Sequence, residues 1–423
     1  MIRELILRQK FEKERFITSD YIEREKIDFA KRWLESDLVK VIIGPRRAGK
    51  SVFAFMLLKD RPFIYLNFDD EIFGRLSQVN PDEIMKELHA VYGGIKTILL
   101  DEIQNLPNWE LFVNRLKREG YNLIVTGSNA NLLSKELATV LTGRHIPIEI
   151  MPFNFKEFLL ARNYKIDYEL MTIPQKKGEI LNLVEKYLIE GGFPEVVVKN
   201  LNSEEYLSIL FDSILFKDVV KRYKVRFSSQ IVDLASYLVN NFSGYYSLRK
   251  LKEVLSLRSV TTVEKYIKYL EDAYLVFYLE RFSYKTGEKI KSPKKVYMVD
   301  NGYINAKAIM VSPNKGKLME NMVFTELVKK GLKPNIDLFY YKTRNSREVD
   351  FVIKKDLKVT ELIQVSWNTY DVYTEQRELK SLLEASEELD ADLLTILTWD
   401  EEKQVEKNGK VIRFVPIWRW FLL

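Results

Sequence analysis

The chain of 423 residues contains no cysteine and only two histidines, His89 and His145. The first absence excludes disulfides, Cys-ligated zinc, iron–sulfur clusters and cysteine nucleophiles together. The second leaves too little imidazole for a His-rich metal centre or for most His-dependent triads. His145 follows an arginine just ahead of a strand and reads as a partly buried structural residue. Long apolar runs are missing too. None approaches the ~20 residues of a membrane span, and Met1-Ile2-Arg3-Glu4 opens no signal-peptide core. A cytoplasmic location with no membrane partner is the expectation. No guanine-reading N-K-x-D motif occurs. What is present is an ordinary globular composition, 46% hydrophobic and 30% charged, long enough for about two to four domains. The formal charge of +6 permits nucleic acid without demanding it.

Gly44-Pro45-Arg46-Arg47-Ala48-Gly49-Lys50-Ser51 satisfies the phosphate-loop pattern G-x-x-x-x-G-K-[ST] in full. Val39–Ile43 reads as the buried strand before it and residues 51–58 as the helix after it, its positive dipole end toward the anion. The nucleotide-binding set is Gly44 to Ser51 with Val52. Lys50 supplies a point charge at the β/γ phosphates and Ser51 a hydroxyl for Mg²⁺. Ile98-Leu99-Leu100-Asp101-Glu102 is a second strand ending in two carboxylates. Asp101 is expected to share the metal with Ser51, and Glu102 to deprotonate the attacking water. Further strand-like runs at 63–67, 122–126 and 146–150 alternate with helical segments, which predicts a parallel sheet covered on both faces. Ser128 and Asn129, at the end of the fourth strand, read either as γ-phosphate sensors or as an ordinary helix cap. Arg46 and Arg47 are open to phosphate, nucleic acid or solvent.

These motifs occur with Asp101-Glu102-Ile103-Gln104, Trp109, Thr126-Gly127-Ser128, Leu141-Thr142-Gly143-Arg144 and Pro152-Phe153-Asn154-Phe155-Lys156-Glu157-Phe158. Later come Glu190-Gly191-Gly192-Phe193-Pro194-Glu195, residues 295–302 (KVYMVDNG) and Arg347-Glu348-Val349-Asp350-Phe351. The combination resembles the AAA+-type P-loop ATPases that carry a C-terminal domain of undefined function, common in archaea and scattered in bacteria. The resemblance spans nearly the whole chain. It implies an ATPase core over 1–160, ATP and Mg²⁺ as cofactors, and a helical lid over 161–225 interrupted by a hinge-like Gly191-Gly192-Phe193-Pro194 turn. Arg144 is the candidate transition-state arginine, acting in cis or from a neighbouring subunit of a homo-oligomer; a surface ion pair is the alternative.

Residues 226–299 read as three helices and a β-hairpin, a winged-helix arrangement, with Val263, Tyr266, Ile267 and Leu270 on one face of the third helix. The hairpin carries Lys285, Lys289, Lys291, Lys294 and Lys295 against Glu288, a charge pattern suited to duplex phosphates. Residues 300–423 follow the order helix, three strands, helix, strand, which resembles the PD-(D/E)XK nuclease fold. Glu320 and Asp350 match two of that fold's metal-site positions. Gln364-Val365-Ser366 stands where E-x-K is expected, so one carboxylate and the water-activating lysine are missing, and a degenerate site is expected. The expected function is an Mg-dependent ATPase coupled to DNA binding or remodelling. A nucleotide-switched signalling ATPase and an ATP-dependent nuclease are the alternatives.

Overall fold

The computed structural model describes residues 2–75, 80–128, 143–165, 173–309, 314–368 and 370–423. Its packing divides the chain into two units, Met1–Phe153 with Asp272–Tyr274, and Asn154–Glu271 with Leu275–Leu423. Among the described residues no helix is long and apolar enough to cross a membrane.

The first unit is built on β1 (Val39–Ile43), β2 (Ile64–Asn67), β3 (Thr97–Asp101), β4 (Asn122–Gly127) and β5 (His145–Glu149). All are parallel, in the order β2-β3-β4-β1-β5. Their branched, apolar sequences suit strands covered on both faces. The pleat sends alternate residues to opposite layers: Ile98 and Leu100 join one apolar cluster, and Leu99 joins the other. The phosphate loop follows β1 and the acidic pair ends β3. The register places β4 between them, so three strand ends meet at one rim, the usual ligand crevice of open α/β sheets.

β2 is an edge strand, and an uncovered edge invites pairing with another chain. Here the helix Ile2–Ile17 covers it. The Gln9 amide donates to Asn67 O (3.0 Å) and accepts from Asn67 N–H (2.9 Å), while Lys13 Nζ donates to Phe63 O (3.0 Å). Two side chains thus stand in for the missing ladder partner.

In the second unit, β6 (Gly244–Tyr246), β7 (Val276–Leu279) and β8 (Lys294–Met298) form an antiparallel sheet in the order β6-β8-β7, combined with the helices Ser228–Asn240, Leu248–Val254 and Val260–Asp272. Val263, Tyr266, Ile267 and Leu270 are all buried. A six-stranded mixed sheet runs β13-β14-β12-β11-β10-β9, from β9 (Leu338–Lys342), β10 (Glu348–Lys355), β11 (Lys358–Ser366), β12 (Leu393–Thr398), β13 (Lys403–Lys407) and β14 (Lys410–Pro416). The last pair answers for the aromatic-rich end of the chain, which folds as a hairpin strand and the helix Ile417–Leu422 with Trp418, Trp420 and Phe421 buried.

Apart from Asp272–Tyr274, the segments 161–225, 226–299 and 300–423 all fall within the second unit, which begins at Asn154. The helices expected as a lid therefore group with the C-terminal part. Tyr187, on the helix Pro174–Glu190, packs on Phe155, Phe158 and Phe421 and donates to Glu326 (2.5 Å). The Gly191-Gly192 turn, read as hinge-like, is tied to a distant turn. Asp300 accepts from Gly192 N–H and from Gly302 N–H, both at 2.9 Å, inside the protein.

Candidate functional site

Gly44 leaves β1 with φ +144°, and a Cβ built on it would lie 2.0 Å from Ile150 O, so only glycine lets the loop start here. Lys50 is buried at the head of the helix Lys50–Leu58, and its ammonium donates to Pro45 O at 2.9 Å inside the curve of the loop. Arg47 lies on the outside in the left-handed region, φ 66°. A residue the sequence did not mark braces the loop: buried Arg24 donates to Ala48 O (3.0 Å) and Met151 O (2.6 Å) and lies over the Phe153 ring.

Asp101 is buried at the end of β3 and accepts from Ser51 Oγ (2.9 Å), Tyr65 OH (3.3 Å) and Thr126 Oγ1. Burial, and then the neighbouring Glu102 charge, push its pKa up to about 6; Thr126, Ser51 and Lys50 pull the other way. It is therefore ionised at neutral pH. Glu102 is a non-glycine residue in the left-handed region, φ 50°, where the backbone is strained. Thr126 holds that turn from the adjacent strand, because its Oγ1 accepts the Glu102 N–H at 2.9 Å. The Gln104 amide donates to the Glu102 carboxylate. Ser128, at the end of β4, is buried and its hydroxyl has no partner among the described residues. Asn129 lies outside the described residues.

A carboxylate and a hydroxyl held together beside an anion-binding loop form an all-oxygen donor set. That set fits Mg²⁺, which takes one or two protein ligands and completes its shell from phosphates and water. Among the described residues no group of three or more His, Cys, Asp or Glu could hold a metal by itself.

Arg144 does not join this site in its own chain. Its carbonyl accepts from Val39 N–H (3.0 Å), at the N-terminal end of β1, and β5 runs parallel from there. The loop begins beyond the other end of β1, five residues on, or ~16 Å at strand rise, farther than an arginine reaches. The role in cis is excluded by the strand register.

The second unit holds another charged cluster. Lys295 was expected on an exposed hairpin tip and is instead buried. Its Nζ lies 2.6 Å from Glu320 Oε1, 2.6 Å from Glu348 Oε1 and 3.4 Å from Asp350 Oδ1. The pleat of β8 turns Lys295, like Tyr297 two residues on, toward Glu320. Tyr297 OH donates to Glu320 (2.7 Å), Val365 N–H to Asp350 (2.9 Å) and Asp350 N–H to Gln364 Oε1 (3.3 Å). Glu320 and Asp350 thus lie around an ammonium, and Gln364 adjoins them through the Asp350 N–H. Burial acts against the Lys295 charge, yet Glu320 foremost among the carboxylates holds its pKa well above the usual lysine value. Burial, then Glu320, push Asp350 well up.

The other hairpin lysines are largely neutralised. Lys285 pairs with Glu288 (3.4 Å) on the short helix Thr286–Lys291, which replaces the expected loop. Lys289 and Lys294 both pair with Glu280 (3.0 and 3.2 Å). Lys291 is exposed. Glu280 directly follows β7, several residues ahead of the lysines it pairs with, so their spacing along the chain gave no sign of the match.

Three family models match along the chain: an AAA domain over residues 36–159, and two domains of unknown function, DUF8612 over 181–314 and DUF4143 over 315–420. The uncharacterized protein MJ1544 of Methanocaldococcus jannaschii is 38% identical over 91% of this chain and 88% of its own length. An uncharacterized protein of Haemophilus influenzae is 30% identical over 91% of this chain and 94% of its own. Among solved structures, the Walker-type ATPase PABY2304 of Pyrococcus abyssi is 16% identical, with a TM-score of 0.47 over 69% of this chain and 97% of that one.

Proposed function

The chain belongs to a family of AAA-type P-loop ATPases with C-terminal domains of unknown function, and from that membership we propose that it hydrolyses Mg-ATP at the β1–β3–β4 rim and couples turnover to DNA. The observation that carries the hydrolytic reading is the chain of contacts from Ser51 through Asp101 and Thr126 to Glu102, directly beside the phosphate loop. Lys50 and the loop amides would hold the phosphates, and Ser51 with Asp101 the magnesium, which supplies charge neutralisation at the β and γ oxygens. Asp101 stays ionised at neutral pH and is oriented by three hydroxyls. Glu102, fixed by Thr126 and Gln104, takes the proton from water. Ser128 presents a buried hydroxyl next to these groups and serves as the sensor. Arg144, at the opposite end of β1 from the loop, is left either a role toward a neighbouring subunit or a surface ion pair.

The DNA reading is supported by the helix–strand–helix–helix–strand–short helix–strand order of residues 228–298 with the sheet order β6-β8-β7, an arrangement of the winged-helix kind. The order helix, β9, β10, β11, helix, β12 agrees with the nuclease-like reading of the C-terminal part. The absent E-x-K pair and the ammonium among the carboxylates argue against cleavage there. The test is ATP turnover with and without duplex DNA. Stimulation by duplex that vanishes in Lys50→Ala is expected. Turnover indifferent to DNA would instead favour a switch that binds a protein partner.

A further inference from the structure

The charge of this chain is unevenly placed. Residues 217–226 carry five Lys or Arg against one Asp, and residues 248–268 carry six against two. Together they hold a formal +8 in a chain whose total is +6, so everything else is slightly acidic. The fold brings these two segments together. Tyr223 stacks flat on Tyr269, with ring centroids 3.7 Å apart and planes at 11°. The Arg258 guanidinium lies over the Phe227 ring at 5.7 Å, and Lys265 Nζ is 5.9 Å from the Tyr269 centroid. Residues 221–227 therefore lie along the helix Val260–Asp272 and the turn before it.

Lys221, Lys224, Arg226, Arg258 and Lys265 are all exposed. None of the five makes an ion pair among the described residues, whereas the neighbouring Arg222 is paired with Asp218 and Lys268 with Glu271. The segment enters through a π-helix, Leu215–Lys221, a form that concentrates at functional sites. Of the hairpin lysines, by contrast, Lys285, Lys289, Lys294 and Lys295 are matched by Glu280, Glu288 and Glu320, which leaves Lys291. Uncompensated cations release condensed counterions on meeting phosphates; lysines already paired release few.

We propose that the nucleic-acid surface of this chain is the face made by residues 221–227 with Arg258 and Lys265, not the hairpin, and that it holds duplex DNA through its phosphates. This rests on the DNA reading above and locates it. Tyr223 and Tyr269, locked together, set the spacing of the cations on either side.

The experiment is fluorescence anisotropy of a labelled duplex over a range of salt, with the full chain. Three proteins are compared: wild type, Lys221→Ala/Lys224→Ala/Arg226→Ala, and Lys285→Ala/Lys291→Ala. The first triple variant is expected to bind at least tenfold more weakly at 100 mM salt, with a log–log salt slope shallower by ~3, at about 0.9 for each phosphate no longer neutralised. The hairpin variant is expected within twofold of wild type. Thermal unfolding checks that each variant is folded. A triple variant that binds as wild type does overturns this surface, whether or not the hairpin variant fails, and leaves the DNA reading intact. A wild-type chain that binds no duplex overturns the DNA reading itself.

Discussion

Asp101 and Lys40 show how differently two buried charges in the same sheet are placed. Asp101 sits among hydroxyls at the rim beside the phosphate loop, next to a glutamate whose backbone is kept in the left-handed region by Thr126. Glu102→Gln keeps the shape and the Gln104 contact but removes the carboxylate proposed as the base. ATP affinity is expected to persist while turnover falls by at least ~100-fold; wild-type turnover in that variant would place the base elsewhere. Lys40, the second residue of β1, is bonded among the described residues to two neutral oxygens, Ser36 O (2.6 Å) and Asn122 Oδ1 (2.7 Å). Burial brings its pKa down to about 8 from 10.5, against the pull of Glu35 and Asp37. A folded-state pKa below the unfolded one means that the unfolded chain binds more protons between about pH 8 and 10.5, so stability rises with pH across that window. Compared with Lys40→Met, the wild type is expected to gain up to about 3 kcal/mol from pH 7.5 to 10.5 in chemical denaturation. An unchanging difference would show that the ammonium remains charged in the fold.

At the scale of elements, the informative pieces are those whose sequence says one thing and whose packing says another. A glycine pair before proline reads as a hinge, yet Gly191 has φ +75° and a Cβ there would lie 1.7 Å from Asp300 Oδ1. Two turns more than a hundred residues apart are tied by one carboxylate, so flexibility is what the glycine does not provide. Gly191→Ala is expected to destabilise by more than ~3 kcal/mol, combining backbone strain with the clash. Gly331→Ala, at φ +100° with nothing within 4 Å of the added carbon, isolates the backbone part and is expected near 1 kcal/mol. Equal midpoints in urea for the two variants would mean that Asp300 gives way. The strand order of the first unit is the complementary case. Each strand is legible from its own apolar run, because burial on both faces leaves no other use for Val, Ile and Leu at that density. Which strand lies beside which is not written in any one run. The position of β4 between β1 and β3 is what delivers Thr126 to Asp101 and Glu102.

For the molecule as a whole, Lys295 decides more than any motif residue of the second unit. It joins β8 to the helix Lys315–Lys329 and to β10 through Glu320, Glu348 and Asp350. Removing one partner of a buried ionic cluster leaves the others uncompensated, typically at ~3–5 kcal/mol. Lys295→Met is expected to lose stability in that range, and adding Glu320→Gln to restore part of it, as measured by thermal unfolding. A Lys295→Met variant as stable as wild type would mean that the carboxylates reach solvent or take up protons without cost. The phosphate-loop pattern, the acidic pair at a strand end and most of the strands, though not β6, β13 and β14, were legible in the sequence, since each depends on chemistry local to a few neighbouring residues. The brace from Arg24, the cover of β2 by Gln9 and Lys13, the exclusion of Arg144 from its own site, the neutralised hairpin and the buried Lys295 were decided only by the tertiary structure. Each of these turns on a charge or a backbone group meeting a partner distant in the chain, and a linear pattern of residue types carries no record of which distant partner burial will select.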